Sequence, residues 1–454
     1  MAKPIREYTD PSIYDTYHAH FKREGHPRDQ VGWVERARQV AEIYALDAAQ
    51  RDIENKSPIA EVALLKSAGL LKVLGPVKYG GGGENWETGY KVIREVAKGD
   101  GSLGMLLGYH FLWSTTANVV GTHEQQESIQ EVIIRNNYFV GGAVNPRDSD
   151  LKITSDGDWL NFNGFKNFNT GGVVSDLTIL EGVLDGTEDH IFTVVKTDQP
   201  GMQFSHNWDS LGLRLTESGS VKIDNIRVPW SDALGWDPKT KRPVAELLNI
   251  PFATMLLPTI QLVFSNFYIG IAQGAIDAAS KYTVSHTRAW PFGGDNKGEA
   301  TEEFYILERY ETFRAHLTAA DALCDRAGAE VAKVYADAGQ HGSTISPGPS
   351  SAEVVTNVLT ASPSGIRGAV SAQRRGEVAA LVASAKVVTT DTGLSVTSGI
   401  FEMLGSRATG KKYGFDRFWR DIRTHSLHDP VAYKKREVGR WHVLGEVPEP
   451  TWYT

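Results

Sequence analysis

A chain of 454 residues is longer than one hydrophobic core normally supports, which predicts two or three sub-domains. Its 41% hydrophobic and 22% charged residues are ordinary for a folded globular protein, and a formal charge of -8 with a pI near 5.9 gives no general attraction to nucleic acid or to an anionic membrane. The single cysteine, Cys324, excludes an intramolecular disulfide and a cysteine-based zinc or iron–sulfur site.

The start, "MAKPIREYTD", lacks the apolar stretch of a signal peptide, and its acidic residues are unlike a transit peptide. No apolar run reaches the roughly 18 residues that would span a bilayer. A cytoplasmic protein is expected.

Helices come first. In "DQVGWVERARQVAEIYALDAAQRDIEN", Val31, Val34, Ala37, Val40, Ile43 and Leu46 form an apolar stripe with charges between them. "SPIAEVALLKSAGLL" begins with Ser57-Pro58, a cap followed by proline at the first helical position. "NWETGYKVIREVAKGD", the almost wholly apolar "GSLGMLLGYHFLWSTTANVVG" and "THEQQESIQEVIIRNN" complete a helical domain over 1–137.

From residue 138 to 250 the texture becomes short and β-branched. "YFVGGAV", "DWLNFNGFKNF", "DLTILEGVL", "HIFTVVKT" and "GSVKIDNIRVP" read as strands of an antiparallel β domain. Asp156-Gly157, Asn163-Gly164 and Asp185-Gly186 are the dipeptides that hairpin turns favour.

Residues 251–454 return to long helices. Ile306, Tyr310, Phe313, Leu317, Ala320 and Cys324 alternate steps of four and three, a seam for packing in a bundle, so Cys324 reads as core and not as a nucleophile. A Ser-, Pro- and Gly-rich insertion at about 340–370 interrupts the bundle. "YGGGGENW" lacks the lysine of a phosphate loop, and no G-x-S-x-G elbow is present.

Near the end, "RTHSLHDPVAYK" sets His425 and His428 one helical turn apart before Asp429-Pro430. Such a pair serves acid–base chemistry or caps a helix end. A metal site would need further ligands, and none is expected.

"AKGDGSLGMLLGYH", "NGFKNFNTGG", "WDSLGLRLTESGSVKIDNIRVP", "GIAQGAIDAASKYT" and "YGFDRFWRDIRTHSLHDPVAYK" together resemble the flavin-dependent monooxygenase branch of the acyl-CoA dehydrogenase superfamily, the dibenzothiophene monooxygenases in particular. That resemblance implies a mainly α fold with a central β domain: an N-terminal helical domain, an antiparallel β domain and a C-terminal four-helix bundle. It implies a homotetramer. It also implies a two-component enzyme that takes reduced FMN (FAD being the other option) from a separate NAD(P)H:flavin reductase. Through a C4a-hydroperoxyflavin it would use O2 to oxygenate sulfur, nitrogen or an electron-rich ring of a small aromatic substrate. The alternative is a flavin oxidase or dehydrogenase of the same fold that takes hydride directly from its substrate.

The resemblance carries over to individual residues. Phe168, Asn169 and Thr170 of "NFNTGG", with Trp208, Ser218, Arg288 and Arg407, correspond to flavin contacts, Arg288 by reaching the phosphate across a subunit boundary. Tyr109, Thr170, His425 and His428 would act on the oxygen side. Met105, Trp113, Gly142 and Trp290 would line the substrate pocket. Three positions depart from the dibenzothiophene pattern: Met105 replaces a histidine, Gly142 an asparagine and Thr170 a serine. A roomier, less polar pocket is expected, with Thr170 retaining a hydroxyl donor.

Overall fold

The computed structural model describes residues 6–145, 150–293, 296–340 and 366–452. The insertion expected at about 340–370 falls largely outside them. The helices α1 (Asp15–Glu24), α2 (Gln30–Ala45), α3 (Ala48–Glu54), α4 (Ile59–Ser67), α5 (Trp86–Gly99), α6 (Gly101–Ser114), α7 (Thr116–Val120) and α8 (His123–Asn136) come first. Their starts are capped locally. Asn85 accepts from the amides of Glu87 and Thr88, Asp100 accepts from Ser102 and Leu103, and Thr122 with Gln125 closes a capping box.

Two expectations for this region change. The stripe from Val31 to Leu46 advances in steps of three, and each step turns about 60° short of a full helical revolution, so it drifts off the core. Val31 and Leu46 are 78% and 76% exposed, while Trp33, Ala37, Val40 and Tyr44 are buried. Ser57 does not cap α4, whose N-cap position is Pro58; its hydroxyl donates to Glu217 instead.

The strands β1 (Val140–Ala143), β2 (Lys152–Asp156), β3 (Trp159–Lys166), β4 (Leu177–Leu184), β5 (His190–Lys196), β6 (Met202–Phe204) and β7 (Val221–Pro229) form one sheet; β8 (Trp236–Asp237) and β9 (Arg242–Pro243) pair separately. The sheet is mixed, not wholly antiparallel. The turns at Asp156-Gly157 and Asp185-Gly186 close the antiparallel pairs β2–β3 and β4–β5, but β1 and β2 both run parallel to β4. β1 is separated from β4 by the β2–β3 hairpin, so it can join parallel. Asn163-Gly164 makes no turn. It lies within β3, where the register shifts and Gly164 adopts φ 140° beside the Asp150 carbonyl, a bulge.

After α9 (Ala245–Leu248), the long helices α10 (Leu256–His286), α11 (Phe304–Asp337) and α12 (Ala372–Leu404) pack with α13 (Asp416–His425) and α14 (Val431–Leu444). Of the α11 seam, Ile306, Phe313, Leu317, Ala320 and Cys324 are buried, and burial pushes the Cys324 thiol up to about 12. Contrary to the sequence expectation, the stretch containing α10 is apolar and long enough to span a bilayer, but 94% of its apolar window is buried against neighbouring elements. It is the central core helix.

Candidate active site

Two loops pack beside α6, and α6 in turn meets α10 and α13 at the histidine pair. In the loop after β3, Phe168 holds φ 58°; in the loop before β7, His206, Leu213 and Glu217 are also left-handed, at 49°, 52° and 43°. Bulky residues avoid this region, and such strain concentrates at functional sites. The loops are tied by main-chain bonds, Asn169 N to Gly219 O and Gly171 N to Thr216 O, both 3.0 Å. α13 braces the second loop, since Leu213 N donates to Asp421 Oδ1 at 2.6 Å and Arg420 to the Leu211 carbonyl at 2.8 Å. Burial raises the Asp421 carboxyl to about 8, against the lowering effect of that amide bond.

Phe168 is 59% exposed and meets Trp208 edge-on at 6.4 Å, while the Trp208 indole is fixed by its donation to Leu213 O. Asn169 is buried, yet neither Oδ1 nor Nδ2 has a partner. A buried amide left unsatisfied is costly and marks a place for a polar ligand. Beside it runs a chain of hydroxyls: Thr170 to Ser218 at 2.9 Å, Ser218 to Thr216 at 2.8 Å, Thr216 to Leu213 O at 2.9 Å. The terminal carbonyl can only accept, so Thr216 donates to it, Ser218 donates to Thr216 and Thr170 donates to Ser218. This corrects the expectation of a free Thr170 donor: its one proton is engaged, and it presents lone pairs.

On α6, Met105, Tyr109 and Trp113 are four residues apart and share a stripe. They keep 4%, 8% and 8% exposure, while Leu106, Leu107, His110 and Phe111 between them have none. Gly142 does not widen the pocket as expected. The Trp113 indole lies 2.5 Å from where a Gly142 Cβ would stand, so the ring occupies the space the glycine leaves. Trp113 Nε1 is buried without a partner.

The imidazoles complete the site. His425 and His428 stack at 5.2 Å and 9°. His425 is buried, with Tyr268 Oη 2.7 Å from Nδ1 and Tyr109 Oη 3.3 Å from Nε2. Burial, helped by His428 and Lys386, holds its pKa well below the usual value, so it stays neutral with one nitrogen donating and the other accepting. Burial likewise raises Tyr109 and Tyr268, which remain protonated. Phe264 and Phe267 wall the ring at 4.3 and 4.9 Å. His428 is exposed and contacts Asp429, which pairs with buried Lys386. Sequence reasoning missed Tyr268, Lys386 and Asp429. The signal was there for Lys386, a lone charge within the apolar run "AALVASAKVV".

Arg288, Arg407 and Trp290 are not brought to this pocket within one chain. Arg288 and Arg407 are exposed and Trp290 is 61% exposed. They cluster past the far end of α10, where Thr287 Oγ1 reaches Leu404 O at 3.4 Å. From Phe264, which packs on Tyr109 and His425, to His286 that helix extends about 33 Å at about 1.5 Å per residue, so Trp290 stands far from the Tyr109–His425 end of its own chain. Among the described residues, no three His, Cys, Asp or Glu are placed to hold a metal.

Family models for the acyl-CoA dehydrogenase N-terminal and C-terminal domains match residues 27–136 and 366–432. Dibenzothiophene monooxygenase from Rhodococcus erythropolis is 34% identical over 442 residues, covering 94% of this chain and 98% of that enzyme. This chain belongs to the flavin-dependent monooxygenase branch of the acyl-CoA dehydrogenase superfamily. Solved members share the whole architecture. Methanesulfinate monooxygenase from Pseudomonas fluorescens superimposes with a TM-score of 0.81 at 32% identity over 93% of this chain and 99% of its own. The FMN-bound dibenzothiophene monooxygenase TdsC from Paenibacillus sp. A11-2 gives 0.80 at 31%, over 93% and 100%.

Proposed function

We propose that this chain is the oxygenase of a two-component system. It takes reduced FMN from a separate NAD(P)H:flavin reductase in the cytoplasm and transfers one atom of O2 to the sulfur or nitrogen of a small aromatic substrate. The observation that carries this reading is the stacked imidazole pair with Tyr109: groups able to donate and accept protons stand together there, suited to activating oxygen.

The residues present fit a reduced flavin ring. Phe168 offers an exposed aromatic face and Trp208 a half-buried one, the unsatisfied Asn169 amide offers both a donor and an acceptor, and Thr170 offers a lone pair to an N–H of the reduced ring. Bound reduced FMN supplies the electrons and the centre at which oxygen is activated. Tyr109, held by His425, and His428 place protons on the oxygen side, while Met105, Trp113 and Phe264 keep it dry and accept a flat apolar substrate. Arg288 and Arg407 serve the phosphate of a flavin bound to a neighbouring protomer, in a homotetramer joined through the exposed apolar residues around Trp290, Phe292 and Phe304.

Anaerobic reduction of the protein with FMN, followed by rapid mixing with O2, tests the reading. A transient distinct from both oxidised and reduced flavin, decaying faster when an aromatic thioether or amine is added, supports it. Direct return to oxidised flavin, together with anaerobic flavin reduction by a substrate, would instead establish the oxidase or dehydrogenase reading.

A further inference from the structure

The two stacked histidines are wired differently. His425 has both ring nitrogens occupied by buried tyrosines, and Tyr268 beyond it is fully buried, so this arm ends inside the protein. His428 is exposed, and its Nδ1 lies 3.0 Å from Asp429 Oδ1. The other carboxylate oxygen, Oδ2, is 2.7 Å from Lys386 Nζ and 3.5 Å from Gln261 Nε2. Lys386 comes from the middle of α12 and has no solvent exposure, a placement that an ammonium tolerates only when paired. Its ammonium also stands 4.9 Å over the Phe264 ring, which itself packs 5.1 Å from His428. Burial alone would raise the Asp429 carboxyl, but the His428 hydrogen bond and the Lys386 charge outweigh it and hold the group well below the usual range.

An ionised carboxylate only accepts hydrogen bonds. Since both oxygens of Asp429 are engaged, His428 donates from Nδ1, and Nε2 is the nitrogen left for a ligand or solvent. We propose that Lys386 and Asp429 are positioning residues that lock the tautomer and orientation of His428, so that Nε2 alone exchanges protons with whatever occupies the pocket. Lys386 holds Asp429 ionised and in place, and Asp429 holds the ring. The division of labour between the histidines follows: His425 fixes Tyr109, and His428 connects the pocket to solvent.

The other titratable groups facing this cluster are Tyr109 from α6, Tyr268 from α10, His425 on α13, and Lys434 and Glu437 of α14, which pair with each other at 2.8 Å. None of them is altered in the test. The functional consequence rests on the monooxygenase reading, but the test uses neither flavin nor turnover, so failure of one is distinguishable from failure of the other.

The measurement is the pH profile of His428 carbethoxylation by diethyl pyrocarbonate in the full flavin-free chain, followed by peptide mass spectrometry. The reagent attacks the neutral ring. Asp429→Asn leaves the Lys386 cation unopposed and moves the half-maximal pH down; Lys386→Met leaves the carboxylate unopposed and moves it up, each by about one unit. Lys386→Arg keeps the wild-type midpoint. The two arms are independent, so either folded variant suffices. A shift opposite to its stated direction, or no shift, overturns the proposal. A purely structural role would not move the two profiles in opposite senses.

Discussion

The two regions on which the proposed function draws are built in opposite ways. The end formed by Tyr109, His425, His428 and Lys386 is assembled within one chain: each polar atom of His425 is paired, the rings are stacked, and the nearest charges are matched. The end formed by Arg288, Arg407 and Trp290 stands exposed, beside Val284, Phe292 and Phe304 at 68%, 73% and 79% exposure. Groups that handle protons need fixed geometry and dryness, which a single core provides. Cations that grip a phosphate can be supplied by a neighbour, and the apolar surface around them is of the kind that buries itself in assembly. On the proposed reading, the chemistry is built inside the protomer and cofactor retention is shared between protomers.

The sharpest way to break this contrast is at the assembled end. His428→Ala lowers product formation about 10²- to 10⁴-fold, with hydrogen peroxide released in place of product and FMN affinity little changed; coupled product and peroxide assays check it. Between the two ends, Asn169→Leu weakens FMN binding about 10- to 100-fold by fluorescence titration. Because that amide has no partner inside the chain, the same substitution leaves the flavin-free melting temperature unchanged or raises it. At the exposed end, the proposed homotetramer predicts that Arg288→Ala weakens FMN about tenfold, and that Phe292→Glu both lowers the oligomer mass in sedimentation and weakens FMN to a similar degree.

Packing and protonation sharpen the picture further. Gly142→Ala forces the Trp113 ring to move and lowers stability by about 1–3 kcal/mol in denaturant titration, a loss relieved by adding Trp113→Ala. His110 is buried between Leu71 O and Val140 N, and burial lowers its pKa to about 4. Between its ordinary value of roughly 6.5 and about 4, the unfolded chain binds a proton that the folded chain does not. Stability therefore falls as pH drops through that window, by at most about 1.4 kcal/mol per unit, and His110→Gln flattens the slope.

Much of the layout was legible because it is written in local rules. Asp156-Gly157 and Asp185-Gly186 close hairpins since both demand positive φ, and the α11 seam through Cys324 buries as its spacing requires. Asn163-Gly164 carries the same chemistry but is a bulge, because strand pairing on both sides overrides the turn preference. The histidine pair was legible from the motif. Its partners were not: Lys386 stood out as a lone charge, but Tyr268 and Lys386 lie about 160 and 40 positions from His425 and Asp429, and only packing of α10 and α12 brings them together. Thr170's loss of donor character was also invisible, since it depends on a hydroxyl chain spanning two loops.

The most direct measurement of the central claim is isotopic. The reduced-FMN-loaded protein is mixed with ¹⁸O-labelled O2 and an aromatic thioether, and the product is weighed by mass spectrometry. The account predicts a sulfoxide carrying one labelled oxygen, with His428→Ala diverting the label to peroxide. Product without label, or flavin reduced by the substrate before oxygen is admitted, would contradict it.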